Sequence, residues 1–260
     1  MPPMFKGIDD KGNPIGTHTA FWKAVKAGAK GADGKPLWYK KGIDYWDTVE
    51  ATDDGVLGGY GHVSDLDAKE NSEFLRSVLG DALDGSRELV ACDCGAGIGR
   101  VTSSFLIHHF HEVDLVEPVK HFVRAAEASL AGENAPKRAD GHRAVNFFAE
   151  PLEAFAPEPG RYDAVWVQWC VGHLPDDEFV AFFERCAAGL KPGGCVFVKE
   201  NNAKEGFVLD TDDSSVTRSH KYFVHLFEEK LGWEIVEHRL QKDFPAELFK
   251  VRMYAVRPKR

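Results

Sequence analysis

The run Asp93-Cys94-Gly95-Ala96-Gly97-Ile98-Gly99-Arg100 constrains this chain more than any other segment. It follows a short apolar stretch, Leu89-Val90-Ala91-Cys92, and opens a segment of helical character. Glycines at a strand-to-helix turn reach positive φ and let the backbone approach a ligand, while the helix start offers unpaired N–H groups. A nucleotide-like ligand is implied, the alternative being a tight turn with no ligand. The dinucleotide fingerprint GxGxxG needs glycine at position 100, where Arg100 stands, so NAD is disfavoured. The next apolar stretch ends in Val116-Glu117, about twenty residues on, where a carboxylate can accept both hydroxyls of a ribose and would repel a 2′-phosphate. A solvated loop carboxylate is the plainer reading of Glu117.

The rest of the chain supplies the frame for such a turn. Phe74, Leu75, Val78, Leu79 and Leu83 recur at helical spacing and predict a helix over Ser72 to Leu83. Further helices are expected over residues 100–110, 119–130, 176–190 and 216–231, and strands over 89–92, 113–116, 144–148, 164–167 and 195–199. Strands alternating with helices predict an α/β fold with a doubly wound, Rossmann-like, mostly parallel sheet. Two last strand-like segments, 234–239 and 248–256, predict a C-terminal antiparallel pair. Upstream, Lys40 to Val49 reads as a short helix and the glycine-rich Gly55 to His62 as a loop. The Gly- and Pro-rich first forty residues predict an irregular or partly helical arm.

Composition removes several classes. Lys plus Arg number 32 against 41 Asp plus Glu, a net charge of −9, the wrong sign for gripping nucleic acid phosphates over a broad face. An acidic surface suits cationic partners instead. Five scattered cysteines without a CxxC pair predict neither a disulfide framework nor a zinc knuckle. No apolar run approaches the roughly 20 residues that span a bilayer, so no membrane partner is expected. A reducing compartment, cytosol or nucleus, follows. His108, His109 and His111 lie close together, but no Cys or carboxylate set completes a metal site, and none is expected.

The glycine turn, Glu117, the aromatic segment Tyr162 to Trp169 and the Leu190-Lys191-Pro192-Gly193-Gly194 turn together resemble the class I S-adenosylmethionine-dependent methyltransferases. A finer resemblance lies in Tyr45-Trp46, Leu57-Gly58-Gly59-Tyr60-Gly61-His62, Trp166 to Leu174, Lys199-Glu200-Asn201 and Leu209 to Val216. These segments, spanning Gly42 to Pro258, resemble the eukaryotic protein α-N-terminal methyltransferases. Such enzymes methylate the free terminal amine of proteins beginning Xaa-Pro-Lys or Xaa-Pro-Arg after removal of the initiator Met. The resemblance implies S-adenosylmethionine as cofactor, held by Gly95, Gly97, Arg100, Glu117, Leu152, Glu153 and Gln168. It implies a peptide channel lined by Tyr45, Leu57, Gly58, Trp169 and Asn201, with His173 and Asp213 nearest the reacting amine as the catalytic pair. Residues 1–64 are then an extension covering the substrate side and 65–260 the methyltransferase domain. Glu117 and Glu200 stand where Asp is usual in the human-like members, and Cys170 replaces an apolar residue.

The physical reading runs beside that resemblance. Methyl transfer from a sulfonium is an in-line displacement, so alignment of nitrogen, methyl carbon and sulfur is most of what the protein supplies. A free α-amine has a pKa near 7.7–8.0 and a neighbouring sulfonium lowers it further, so strong base catalysis is unnecessary. An ordinary Asp is about four units too weak to take that proton outright, so Asp213 orients the amine and relays through water unless its pKa is raised. His173 is the better matched acceptor. Simpler roles are helix capping for Asp213, capping or packing for His173, and core packing for Trp169 and Tyr45. Asp210, Asp212 and Asp213 form either a solvated turn or a partner for a basic third residue of the substrate. A methyltransferase of the same fold acting on a small molecule is the competing function, and a noncatalytic cofactor-binding or scaffold protein a third.

Overall fold

The computed structural model describes residues 3–133, 135 and 138–259. The chain opens with a hairpin, β1 (Lys6–Asp9) and β2 (Pro14–Thr17), followed by α1 (His18–Ala27). The Thr17 hydroxyl caps α1 by accepting the Ala20 N–H. The arm expected to be irregular or partly helical carries a helix, α1, but also a hairpin, whose ordering comes from a distant partner: β1 pairs in parallel with a strand at Phe207–Asp210. No local pattern in the first forty residues reveals that pairing.

α2 (Leu37–Asp47) carries the expected short helix. The Gly55–His62 segment overlaps a single turn, α3 (Asp53–Val56), and a 3-10 turn at Gly61–Val63. α4 (Ser64–Leu79) begins well before Ser72, because Asp67, Glu70 and Asn71 face inward and mask the apolar period there. The alternating body follows as β3 (Val90–Cys94), α5 (Arg100–Ser104), β4 (Glu112–Val116), α6 (Lys120–Leu130) and β5 (Arg143–Phe148). It continues with β6 (Tyr162–Gln168), α7 (Asp176–Gly189), β7 (Leu190–Asn202), β8 (Phe207–Asp210) and β9 (Ser215–Arg218). The chain closes with α8 (His220–Val224), a π-helical turn (His225–Lys230), β10 (Trp233–Leu240) and β11 (Lys250–Pro258).

Seven strands form the main sheet in the order β10-β11-β7-β6-β3-β4-β5. Neighbours from β7 to β5 are parallel, while β10 and β11 form the antiparallel edge pair. Every residue of β6 is buried, as the central strand of a sheet covered on both faces requires. Phe179, Phe182, Phe183, Phe227 and Trp233 pack one face, and Phe74, Phe105, Trp166 and Phe197 belong to the core on the other.

Two further sequence expectations change. The helix over 100–110 stops at Ser104, because Phe105 leaves helical geometry (φ −139°, ψ −64°) and packs its ring 4.6 Å from Trp166. The helix over 216–231 is a strand first, β9, which pairs with β8 in a second sheet of order β2-β1-β8-β9. Among the described residues no helix is long and apolar enough to cross a membrane.

Candidate active site

The carboxyl ends of β3, β4 and β6 meet where strand order reverses, the place where open α/β sheets bind ligands. There the glycine turn holds Gly95 at φ +71° and Gly97 at +55°. A Cβ on Gly95 would sit 2.5 Å from the Cys170 Cβ, so the turn lies against the next loop as closely as backbone permits. Glu117, at the end of β4, is buried and accepts the N–H groups of Gly97 (2.9 Å) and Val119 (2.8 Å). Burial nevertheless raises its pKa to about 7. Each carboxylate oxygen keeps a lone pair for a hydroxyl.

Around this turn Leu57, Gly95, Gly97, Arg100, Glu117, Leu152, Glu153, Gln168, Trp169 and His173 line one cavity. Tyr45, Gly58, Asn201 and Asp213 are not on its wall. Asp213 lies just beyond it: a Cβ on Gly42 of α2 would be 3.2 Å from both the Asp213 carbonyl oxygen and Nδ1 of His173. Tyr45 packs edge-on against Trp46, and its phenol pKa is raised by burial and by Asp213, Asp210 and Asp212. Asn201 at the end of β7 is tied to the His173 turn through Glu200, whose carboxylate accepts the Asn201 N–H (3.1 Å) and the Val171 N–H (3.2 Å). Gly58 lies on the surface in left-handed geometry.

Desolvation raises the Asp213 carboxyl above its ordinary range against the pull of His173, and its Oδ1 is buried with no partner among the described residues. His173 is fully engaged. Its Nε2 accepts the Trp46 indole N–H (3.1 Å), its Nδ1 lies 3.2 Å from the Ser214 carbonyl, and its own carbonyl accepts the Trp38 indole (2.7 Å). In this arrangement the imidazole takes a proton only by giving up the Trp46 bond, which limits the acceptor role expected for it. Trp169 holds a left-handed backbone (φ 54°), with Arg100 and Lys199 under its ring at 5.6 and 5.9 Å.

Sequence reasoning assigned no role to Trp38, Gly42 and Trp46, which α2 places on the cavity wall. Their spacing of i, i+4, i+8 was the available signal. It also overlooked Asp67 and Lys199, buried behind Arg100 and Gln168. The histidines at 108, 109 and 111 do not converge: Nε2 of His109 meets Ser72 and Nδ1 of His111 accepts the Leu89 N–H. Among the described residues no cluster of three potential metal ligands exists.

A family model described as AdoMet dependent proline di-methyltransferase matches residues 34–257. The chain belongs to this family. A rice relative, "Alpha N-terminal protein methyltransferase 1" from Oryza sativa subsp. indica, is 52% identical over 229 residues, 88% of this chain and 74% of its own length. A bovine relative, "N-terminal Xaa-Pro-Lys N-methyltransferase 1" from Bos taurus, is 39% identical over 220 residues, 85% of this chain and 95% of its own. Among solved structures, a SAM-dependent methyltransferase from Leishmania major superposes with a TM-score of 0.85 at 35% identity, covering 99% of this chain and 98% of that one. As a member of the family the chain is a methyltransferase that uses S-adenosylmethionine. The cavity fits that cofactor: a cradle at Gly95 that a Cβ would fill, a carboxylate at ribose position and a guanidinium on the wall.

Proposed function

We propose that this methyltransferase modifies the free α-amino group of proteins that begin Xaa-Pro-Lys or Xaa-Pro-Arg once the initiator Met is gone. One observation carries the reading: Asp213 presents a buried carboxylate oxygen, without a hydrogen-bond partner among the described residues, beside His173 at the edge of the cofactor cavity. The names of the rice and bovine relatives support it. The cofactor, when bound, supplies an electrophilic methyl on a sulfonium. Asp213 accepts a hydrogen bond from the amine and aims its lone pair; its raised pKa brings it toward that of the departing proton. His173, held by Trp46, braces the same wall beside Asp213, and Trp169 lines the cavity as a channel residue.

Asp210 and Asp212, exposed on the same turn, face the third residue of the substrate and favour Lys or Arg by charge complementarity. Residues 1–64 serve as a cover on the substrate side, with Tyr45, Leu57, Gly58 and Asn201 guiding the peptide. Five free cysteines suit a reducing compartment, the cytosol or nucleus.

The test uses labelled S-adenosylmethionine with two peptides of one sequence beginning Ser-Pro-Lys, one free and one N-acetylated. Label is expected in the free peptide alone. Equal labelling of the blocked peptide would rule out the α-amine as acceptor.

A further inference from the structure

A buried network of charged side chains lies directly behind the cofactor cavity. Its hub is Asp67 of α4, whose Oδ2 accepts Arg100 Nη1 (2.9 Å) and Gln168 Nε2 (2.8 Å). Its Oδ1 accepts Lys199 Nζ and again Gln168 Nε2 (3.1 Å). Lys199, fully buried in β7, uses its other two protons on Asn71 Oδ1 (2.7 Å) and Gln241 Oε1 (2.6 Å). Gln168 completes the set by accepting Asn71 Nδ2 (3.1 Å) and Trp166 Nε1 (2.9 Å).

Desolvation opposes charge on both Asp67 and Lys199, yet Lys199 and Arg100 hold the Asp67 carboxyl below its ordinary range, so it stays ionised. Burying such a pair costs more in desolvation than apolar residues of the same volume would. Fold stability is therefore a poor reason for it, and geometry is a better one. Within the described residues Arg100 spends only Nη1 on this network and on Ser64, so Nε and Nη2 remain for a ligand on the cavity side. Asp67 fixes the Nε2 end of the Gln168 amide while Asn71 and Trp166 hold its Oε1, and Lys199 together with Arg100 supports the ring of Trp169, a residue whose backbone N–H donates to the Lys199 carbonyl (3.0 Å).

We infer that Asp67 is a positioning residue for methyl transfer: it presets Arg100 toward the amino-acid end of the cofactor, locks the Gln168 side chain in the cavity wall and, through Lys199, sets the height of Trp169 in the channel wall. Asp67 touches no substrate atom itself. The inference rests on the cofactor cavity and is independent of which amine is methylated.

The test compares Asp67→Asn with the double variant Asp67→Asn/Lys199→Gln, reading S-adenosylhomocysteine affinity by calorimetry beside the melting temperature. The double variant removes one charge of each sign, so the buried net charge is unchanged and hydrogen-bonding groups remain. It is expected to recover most of the melting temperature lost in the single variant while its affinity stays about ten- to a hundredfold weaker than wild type, the scale of a lost hydrogen bond to a charged group. Affinity within twofold of wild type in the folded double variant would overturn the inference and leave the network a purely structural one. Should both variants fail to fold, Asp67→Glu, which keeps the charge but shifts the carboxylate by one methylene, carries the same comparison: weakened affinity at a near-native melting temperature supports the role, and unchanged affinity refutes it.

Discussion

The indole nitrogen of Trp46 donates to Nε2 of His173, so one helix of the arm and the turn after β6 share a single imidazole. An indole N–H is a donor only, which leaves the lone pair on Nε2 and the proton on Nδ1, facing the Ser214 carbonyl. His173 thereby bridges α2 and the loop carrying Asp213, whose Oδ1 has no hydrogen-bond partner among the described residues.

Trp46→Phe removes that donor while keeping an aromatic ring. The 15N spectrum of the His173 ring is expected to show the Nδ1-protonated tautomer in the wild type and a tautomer mixture in the variant. An Nε2-protonated ring in the wild type would refute the assignment.

Gly42 lets α2 close on both groups at once. In Gly42→Val the branched side chain meets the Asp213 carbonyl and the His173 ring, an overpacking cost of about 1–3 kcal/mol. Displacement of the acceptor wall by near an ångström lowers kcat/KM for a peptide on the order of a hundredfold. Cofactor affinity, measured by calorimetry, should fall much less; an equal fall in both would mean that α2 shapes the cofactor end of the cavity rather than the acceptor wall.

The sheet and the glycine turn were legible because each rests on local pattern: apolar runs at Ala164–Val167 and Cys195–Lys199, and three glycines between a strand and a helix. What stayed hidden depended on partners far away in sequence. β1 is a strand because β8 lies beside it, and β9 was absorbed into the helical period of Tyr222, Phe223, Leu226 and Phe227 that follows it. The Asp67 network left a faint trace, since Lys199 follows the apolar run Cys195–Val198 within β7 and Asp67, Glu70 and Asn71 share the face of Phe74 on α4. A charge on an apolar face reads as an interruption until its partner is known. Resemblance supplied the cavity residues from Leu57 to His173, but it assigned no role to Trp38 or Trp46 of α2.

Gly95→Ala combines left-handed strain of about 1–2 kcal/mol with overlap on Cys170. Loss of measurable S-adenosylhomocysteine binding is expected, with the fold retained by circular dichroism. Normal affinity would make the turn a purely structural one.

The Glu117 pKa near 7 gives cofactor binding a pH dependence. The ionised carboxylate is the better acceptor for ribose hydroxyls, so S-adenosylhomocysteine should bind about tenfold tighter at pH 8 than at pH 6, following the ionised fraction. Stability moves the opposite way. The folded pKa lies above the ordinary glutamate value, so this group's contribution is fully present below about 4.5 and is lost as pH rises through about 7. Glu200, raised to about 7 by burial, adds to the same trend in stability. Glu117→Gln should flatten the binding profile; an unchanged slope would assign the titration elsewhere.

The most direct measurement locates the methyl group. Wild-type protein, S-adenosylmethionine and a peptide beginning Ser-Pro-Lys are incubated, and the product is fragmented in a mass spectrometer. Added mass confined to the fragment that contains the terminal nitrogen, and absent when Asp213 is changed to Asn, is the predicted result. Methyl found on the Lys ε-amine, or a wild-type rate retained by Asp213→Asn, would contradict an amine aligned by Asp213 at the end of the chain.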